Sequence, residues 1–432
     1  MSVFFRAPLS RFCLAFTVAA AAAGLRAQTA ASSSPLISLP EVLDRVATSH
    51  PALAAFAFEE RAASALIEQA GTRPIPTLEL AVENVLGTGA TRGFDSLEAT
   101  VQASQTFERG GKRARRIEVA SRDHALTSTE RALTLIEVQI AAANAYVDLI
   151  AATARVGIAA EPLRLARETV DAVGARVQSG FSSKAELARS RAQLAAAQAD
   201  FTLAESELAA ARATLAALWA ASPDEVIGRA PELRLPDALP SLETFSSRLA
   251  HHPQIAHQRA RIEQRRSQLK LEQAQAAGDI TVAGGVRFLR EGSDAAVVAG
   301  VSLPLPSKHR NQGNIRAARE SLAGAESAVN VIEQTLRISL DAAWRDLNAA
   351  HHLARALRDE ALPAAAEALD IVQQGYQQGQ LPLLEVFDAQ RNLATIRGDI
   401  AAREAACAKA LIRVEALTDP TFPATTRLFV QP

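Results

Sequence analysis

Residues 97–113 read LEATVQASQTFERGGKR and change their periodicity on the way. From Leu97 to Ser104 apolar and polar side chains alternate, which is the pattern of a β-strand with one apolar face and one polar face. Gly110 and Gly111 follow, and from Lys112 onward apolar residues recur with the helical period of 3.6. The stretch therefore predicts a two-faced strand that ends at a glycine pair and continues as a helix.

The pattern around this stretch occurs twice in the chain, at an offset near 200 residues. His50-Pro51 corresponds to His252-Pro253, and Gly180 corresponds to Gly379. Each copy predicts a helix, two strands, a long helix and a second helix. We predict a first repeat over residues 28–221, a proline-rich linker over 222–240, a second repeat over 241–418 and a C-terminal tail over 419–432.

The long helix of each copy exceeds the size of a helix in a globular domain. Two runs of about 60 residues begin near Lys112 and Gln312, which corresponds to roughly 90 Å of helix. Pro162 and Pro363 lie inside these runs, and each predicts a kink.

The helices that follow carry a heptad repeat. A large residue recurs every seven positions from Leu187 to Leu215 and from Val386 to Val414, and small residues follow three positions later in the first series. Such a pattern predicts coiled-coil seams between closely spaced helices. Cys407 occupies one seam position of the second series.

Composition agrees with close-packed long helices. Alanine accounts for 93 of the 432 residues, whereas only 4% are aromatic. Because alanine is the strongest helix former and has a small side chain, a large all-β enzyme or a compact α/β barrel is disfavoured. The formal net charge of −1 argues against a nucleic-acid-binding protein. The two cysteines, Cys13 and Cys407, are too few for a multi-cysteine zinc site.

The first 27 residues have the composition of an export signal. Arg6 and Arg11 precede the apolar stretch from Cys13 to Leu25, and small residues follow it. This stretch is too short to span a bilayer, so we predict a signal peptide over residues 1–27, cleaved after Ala27. No later segment has about 18 consecutive apolar residues, so we expect no helical membrane anchor.

Four strands of one chain cannot close a barrel. The predicted strands are about 8–11 residues long, as tilted membrane strands are, but the smallest common barrels have about eight strands. Two open hairpins would leave unpaired edges, which lipid cannot hydrate. Several chains must then share one barrel, and the sequence fixes neither two nor three. The alternative is a soluble sheet packed on a coiled coil.

Several short motifs follow one another in a definite order. They are Glu83-Asn84, Gly87-Thr88-Gly89, Gly93-Phe94-Asp95, Phe107 to Arg113, Leu303 to Pro306, Arg310 to Gly313, Tyr376 to Gly379 and Glu385 to Arg391. In these motifs and their spacing, the whole mature chain resembles the TolC family of outer-membrane efflux proteins. It is most similar to the CzcC-like members, which serve heavy-metal exporters of the resistance-nodulation-division class.

What this resemblance implies is a homotrimer. Four strands from each chain would form a twelve-stranded β-barrel in contact with outer-membrane lipid. A long coiled-coil α-barrel would continue it into the periplasm, so the fold class is mainly α with a small membrane β part and an internal two-fold repeat. The implied partners are a periplasmic adaptor (membrane fusion) protein and an inner-membrane antiporter of the resistance-nodulation-division class.

The resemblance also assigns the helix-to-helix turns to the periplasmic tips. Gly180, Tyr376 and Gly379 are then the predicted contacts with the adaptor; without the resemblance they are turn residues only. The family often has a basic residue two positions after the second tip glycine, where this chain has Leu381. The family's closed-state latch is therefore in question in this chain.

A second assigned site is a narrow acidic constriction at Glu385 and Asp388. These residues lie three apart on one helix face, and three copies around an axis would favour cations. The corresponding residues of the first repeat are Glu186 and Arg189, so only one acid is duplicated. Without the resemblance, two acids on a helix are a solvated face.

The sequence contains no motif for catalysis or cofactor binding. It has no phosphate-binding loop, no H-E-x-x-H and no Cys-x-x-Cys, so we predict no enzyme, no cofactor and no metal site. His251-His252 and His351-His352 are adjacent pairs whose side chains point in different directions on a helix. We predict a passive outer-membrane efflux channel, for divalent heavy-metal cations by resemblance. The alternatives are a channel for small organic toxic compounds, a periplasmic adaptor or a structural coiled-coil protein.

Overall fold

The computed structural model describes residues 38–226, 231–305 and 310–418. The predicted signal peptide (1–27) and C-terminal tail (419–432) lie outside these ranges. The strands are β1 (Thr77–Glu83), β2 (Glu98–Phe107), β3 (Ile280–Leu289) and β4 (Asp294–Ser302). The α-helices are α1 (Leu39–Ser49), α2 (Pro51–Ala70), α3 (Lys112–Gln178), α4 (Lys184–Ala217), α5 (Leu242–Ser246), α6 (Pro253–Gln275), α7 (Gln312–Ala356), α8 (Leu362–Gln377) and α9 (Leu383–Thr418).

The two halves of the chain share one order of elements, so the predicted internal repeat is confirmed. Each has a helix before two strands, then a long helix and a second helix. The first helix was predicted as one piece but is split into α1 and α2, because His50 has extended backbone angles before Pro51.

The repeated His-Pro pair begins a helix in both halves. The Nδ1 atom of His50 accepts the N–H of Ala52 at 3.2 Å, and that of His252 accepts the N–H of Gln254 at 3.1 Å. Each histidine thereby satisfies one of the free N–H groups of a helix N-terminus. Burial lowers the pKa of His252, which favours the neutral ring that can accept this bond.

The long helices extend slightly further than predicted. Helix α3 has 67 residues, or about 100 Å, and remains α-helical through Pro162. In the second half, α7 and α8 are separated by a π-helical segment, Leu357–Ala361, which ends just before Pro363. Of the two predicted kinks, the α-helix is interrupted near Pro363 but continues through Pro162.

The largest buried cluster surrounds the middle of α3. Tyr146 and Leu149 of α3 pack there with Leu215, Leu347 and Leu411 from α4, α7 and α9, and all five are at most 2% exposed. Helix α3 contains an 18-residue window that is long and apolar enough to cross a membrane, but 61% of that window is buried inside the molecule. Its apolar side chains therefore belong to this core.

Both heptad seams are present. On α4 the small residues Ser190, Ala197 and Ala204 are buried, and α3 is the main packing partner of this helix. On α9 the series from Val386 to Val414 is buried, and burial raises the pKa of the Cys407 thiol to about 12. Small side chains at the α3–α4 seam let the two backbones approach closely.

The four strands form one antiparallel sheet in the order β1-β2-β3-β4. The two predicted hairpins are thus not separate, because β2 pairs with β3 along its whole length, from Glu98↔Leu289 to Phe107↔Ile280. This pairing satisfies the N–H and C=O groups at two of the four edges that separate hairpins would leave open. The remaining open edges are β1 and β4.

The sheet has one apolar face and one polar face. The register places Leu80, Val101, Val286 and Val297 in one row across all four strands. All of the large apolar strand residues that are exposed lie on that face; they are Leu78, Leu80, Val82, Val101, Phe107, Val282, Val286, Phe288, Val297 and Val301. On the opposite face Arg287 bonds Glu98 at 2.8 Å and Thr100 at 3.0 Å. The predicted two-faced strands are confirmed.

The sheet joins the helices through a cluster of charged side chains, which we call the junction cluster: Glu108, Lys112, Arg116 and Asp279. Arg116 pairs with both carboxylate oxygens of Glu108 and also donates to the carbonyls of Ala70 and Thr72, at 3.3 and 3.1 Å. Lys112 bonds Asp279 at 2.7 Å. The cluster fixes the start of α3 against the end of α2 and the start of β3.

The transitions from strand to helix contain residues in the left-handed conformation. The glycine pair predicted such a transition in the first half. Gly110 and Gly111 have φ values of +73° and +71° before α3 begins. In the second half the left-handed residue is Asn311, whereas Gly313 lies inside α7. Asparagine tolerates this conformation because its short polar side chain bonds locally, here to the carbonyl of Glu272 at 2.7 Å.

Candidate functional site

Both helix-to-helix tips have the same turn geometry. Each helix ends in a Schellman motif, in which the glycine and the residue after it donate back to the last helical turn. The glycines Gly180 and Gly379 have φ values of +79° and +74°, which only glycine adopts without strain. The bonds are Gly180 N–H to Val177 O at 3.1 Å, Phe181 N–H to Arg176 O at 2.8 Å, Gly379 N–H to Tyr376 O at 3.0 Å and Gln380 N–H to Gly375 O at 2.8 Å.

The two tips of one chain contact each other through Tyr376. The Arg176 guanidinium lies over the Tyr376 ring at 5.8 Å and donates to its hydroxyl at 3.4 Å. Beneath this contact, Val173 of α3 packs with Leu383 and Phe387 of α9 in a small buried cluster. Tyr376 is therefore half-buried between the hairpins, and sequence reasoning missed its partner Arg176.

The turn that follows Gly379 is closed by an apolar side chain. Leu381 lies directly over Gly375, where an added Cβ would come within 2.7 Å of the leucine Cδ1 atom. The position that often carries a basic residue in the family is thus used for packing. Phe181, at the other tip, is 80% exposed.

Glu385 and Asp388 lie in the first turns of α9, directly after the second tip, and both are exposed. Among the described residues, the Asp388 carboxylate has one basic neighbour, Arg391, at 3.8 Å. No ion pair involves Glu385 within those residues. The spacing of three places both carboxylates on one face of the helix.

A cleft of about 380 Å³ separates the first turns of α4 and α9. Glu186 and Arg189 line it from α4, and Leu383, Phe387 and Arg391 line it from α9. The cleft therefore brings Glu186 and Arg189 of the first repeat close to Arg391 of the second. Heptad reasoning could not reveal these neighbours, because they come from positions about 200 residues apart.

The histidine pairs have structural partners. His351 is buried and its Nε2 atom lies 2.6 Å from the carbonyl oxygen of Pro236, while His352 packs edge-to-face on it with ring centroids 6.0 Å apart. Within residues 38–226, 231–305 and 310–418, no three His, Cys, Asp or Glu side chains come together as a metal-binding group.

Solved structures that share this fold include outer-membrane channels. The chain superposes on CusC, a protein studied for transmembrane channel formation, with a TM-score of 0.68 and 18% identity, over 88% of this chain and 91% of that one. It superposes on the outer-membrane channel OprN with a TM-score of 0.71 and 16% identity, over 88% and 89%. At these identities the likeness shows the fold, which is that of a TolC-type channel subunit.

Sequence relatives give the family. The chain belongs to the outer membrane efflux protein family, which matches residues 42–221 and 244–418. The cobalt-zinc-cadmium resistance protein CzcC of Cupriavidus metallidurans is 27% identical over 361 residues, which is 84% of this chain and 85% of that protein. The nickel and cobalt resistance protein CnrC of the same species is 31% identical over 304 residues, 70% and 72%.

These matches confirm the resemblance predicted from the motifs. The chain is an outer-membrane efflux protein, and it shares the long helical extension of the solved channels. Its relatives are efflux and resistance proteins rather than enzymes.

Proposed function

We propose that this chain forms a homotrimeric exit channel of a tripartite efflux system. The observation that carries the proposal is the four-stranded sheet with an apolar face and open edges at β1 and β4. The apolar face suits lipid, but lipid cannot satisfy the N–H and C=O groups of two open edges. Three copies joined edge to edge would close a barrel of twelve strands and leave no edge.

The length of the helices supports contact with a partner below the membrane. Helix α3 starts at the sheet and carries its tip about 100 Å away. We assign Gly180, Tyr376 and Gly379 to contact with a periplasmic adaptor protein. The exposed Phe181 ring beside Gly180 adds an apolar contact to that surface. An inner-membrane antiporter of the resistance-nodulation-division class would supply the energy.

We assign Glu385 and Asp388 to the constriction of the channel. Both carboxylates are exposed on one face of α9 next to the tip, so a trimer would direct three pairs towards one axis. A ring of acidic side chains favours cations and excludes anions. Arg391 weakens the charge of Asp388, so Glu385 would contribute more to this selectivity.

We assign divalent heavy-metal cations as the exported substrate. This assignment rests on the acidic pair and on the relatives CzcC and CnrC, whose names refer to cobalt, zinc, cadmium and nickel. A passive channel needs weak sites from which ions leave, so a tight metal site is not required.

The channel is tested by planar-bilayer recording on the purified protein. We expect cation-selective currents, and we expect Glu385→Gln with Asp388→Asn to reduce the selectivity and to weaken block by Co²⁺ from the tip side. The matched control is Glu367→Gln with Asp370→Asn, a pair of exposed acids with the same spacing on α8. Selectivity that changes equally in both double variants would contradict the assignment of the constriction, and absence of channels would contradict the proposed function.

The substrate is tested in a host from which this chain has been deleted. We expect increased sensitivity to Co²⁺, Zn²⁺ and Cd²⁺, restored by the wild-type chain. Sensitivity to small organic toxic compounds with unchanged metal tolerance would replace the metal assignment by the organic alternative.

A further inference from the structure

The two repeats differ where their long helices pass the core. In the first repeat, α3 stays α-helical through Pro162. In the second repeat the π segment, Leu357–Ala361, separates α7 from α8 just before Pro363. Single π turns inside α-helices occur frequently at functional sites, because the wider turn loosens the regular hydrogen bonding. The regular hydrogen bonding of the α-helix is therefore interrupted between α7 and α8.

An ion pair connects the π segment to α9. The Arg358 guanidinium contacts the Glu404 carboxylate, whose side chain is only 9% exposed, while that of Arg358 is 40% exposed. The first repeat has an ion pair of the same kind between α3 and α4, where Arg155 bonds Glu207 at 2.9 Å. Both of those side chains are more than 40% exposed. Of these two ion pairs, only the one in the second repeat has a buried carboxylate.

A cavity lies next to the buried carboxylate. It has a volume of about 370 Å³ and is lined by Ile150, Ile158, Leu362 and Ile400, together with Arg358 and Glu404. The cavity is partly open to solvent, and it leaves space beside Leu362 at the start of α8.

The surroundings of Glu404 shift the pKa of its carboxyl group in opposite directions. Burial raises the pKa of the Glu404 carboxyl and the Arg358 guanidinium lowers it, with a net rise. The other charged or titratable groups that face it are Glu232 from the chain before α5, and Arg397 and Cys407 from α9. Helices α3 and α8 line the cavity with Thr153 and apolar side chains only. The ionised form of Glu404 is therefore destabilised where the side chain is buried.

We infer that the π segment is the pivot of α8 and that the Arg358–Glu404 pair is a proton-sensitive contact that holds α8 against α9. When α8 moves away, Glu404 meets water and regains an ordinary, lower pKa. Because the pKa of Glu404 is higher in the held position, falling pH stabilises that position relative to the released one. Acid therefore favours the held position, and rising pH favours release. Because α8 carries Tyr376, release would free the second tip.

This contact predicts opposite effects for its two partners. Arg358→Gln leaves a buried carboxylate without its counter-charge, which is strongly destabilising, so α8 should be released. Glu404→Gln removes the buried charge, and the half-exposed Arg358 can still reach water, so α8 should be held more firmly. A pair that only braces two helices would be weakened by either substitution.

The substitution Ala401→Cys provides a probe of release. Ala401 is 9% exposed on α9, three residues before Glu404 on the same helix face, and it lines the cavity together with Arg358 and Leu362. In a background with Cys13→Ser and Cys407→Ser the introduced thiol is the single thiol of the chain. Its thiolate attacks the disulfide of 4,4′-dithiodipyridine, forms a mixed disulfide and releases thiopyridone, and this reaction needs the α8–α9 contact to open.

In the Ala401→Cys background we expect Arg358→Gln to accelerate the labelling at least tenfold at pH 8, and acid to reverse this acceleration relative to the unsubstituted background at the same pH. Glu404→Gln should slow labelling, and the double variant should label no faster than that background. Arg155→Gln and Glu207→Gln are the matched exposed controls and should stay within twofold. Circular dichroism of each variant checks that it is folded.

Two outcomes would overturn the inference: equal acceleration by Arg358→Gln and Glu404→Gln, or no change in either. Because the assay reads a thiol in detergent-solubilised protein, it does not depend on channel formation or on the exported substrate. Its failure is therefore distinguishable from a failure of the proposed function.

Discussion

Replacement of Arg116 by alanine tests whether the junction cluster holds the sheet to the helices. Arg116 is the one side chain of the cluster that bonds three residues: Glu108 after β2, and the carbonyls of Ala70 and Thr72 at the end of α2. Its side chain is 32% exposed and that of Glu108 is 15% exposed, so water replaces these bonds only in part. We expect Arg116→Ala to open the junction locally without unfolding the chain.

The magnitude follows from the bonds that are lost. A hydrogen bond to a charged group contributes about 1.5–3 kcal/mol, and the contributions of one guanidinium to several acceptors are not additive. Partial exposure reduces the ion-pair share, so we take about 3 kcal/mol for the whole side chain. Since about 1.4 kcal/mol is a factor of ten, the open population of the junction should rise on the order of a hundredfold.

Limited proteolysis measures this population directly. When opening and closing are faster than cleavage, the cleavage rate follows the open population. Trypsin sites at Arg109, Lys112 and Arg113 lie within the junction, and Arg131→Ala is the control, an exposed arginine on the same helix. Cleavage at these sites should accelerate by one to two orders of magnitude in Arg116→Ala only. Rates within twofold of wild type would show that the cluster does not hold the junction.

Two further predictions concern the helical region. Leu347→Ala removes a side chain that is 0% exposed in the largest core and should cost about 3 kcal/mol, seen as a lower melting temperature at a fixed scan rate, whereas Leu203→Ala, at a leucine that is 60% exposed, should change little. Hydrogen bonds from Lys270 and Arg115 lower the pKa of Glu118 to about 2, so its stabilising effect is complete above the ordinary value near 4.5 and disappears as pH falls through 2. The stability difference between wild type and Glu118→Gln should therefore be constant from pH 7 to about 5 and decrease towards zero below pH 3; a difference that is lost near pH 5 would contradict the lowered pKa.

Local patterns in the sequence predicted most of the fold because each acts within a few residues. The alternation in residues 97–104 gave a two-faced strand, and the glycines at 110–111 gave a left-handed transition into α3. Heptads gave the seams, and Cys407 lies buried at its predicted seam position. Each of these signals depends on a side chain or a backbone angle at the position itself.

The remainder could not be predicted because it joins positions far apart in the chain. Nothing local shows that β2 pairs with β3, which brings Glu98 against Arg287. The contact between Arg176 and Tyr376 spans 200 residues. The kink signals at Pro162 and Pro363 are alike in sequence, yet the π segment occurs only before Pro363, where Arg358 turns towards Glu404. Proline removes one helix donor, but the surrounding packing decides how the helix accommodates the loss.

A duplicated chain need not form two equal hairpins, and the charges near the tips show why this matters for a channel. Both tips have the same Schellman geometry, so the backbone keeps the two-fold repeat. The side chains after each tip differ: the first repeat has Glu186 and Arg189, which cancel, whereas the second has Glu385 and Asp388, with Arg391 one turn further on. In the proposed trimer six similar tips would surround the axis, but only three would carry net negative charge. Cation selectivity would then depend on the second hairpin, which is also the hairpin with the π segment and the buried Glu404. The same hairpin would thus set both the charge of the constriction and its position.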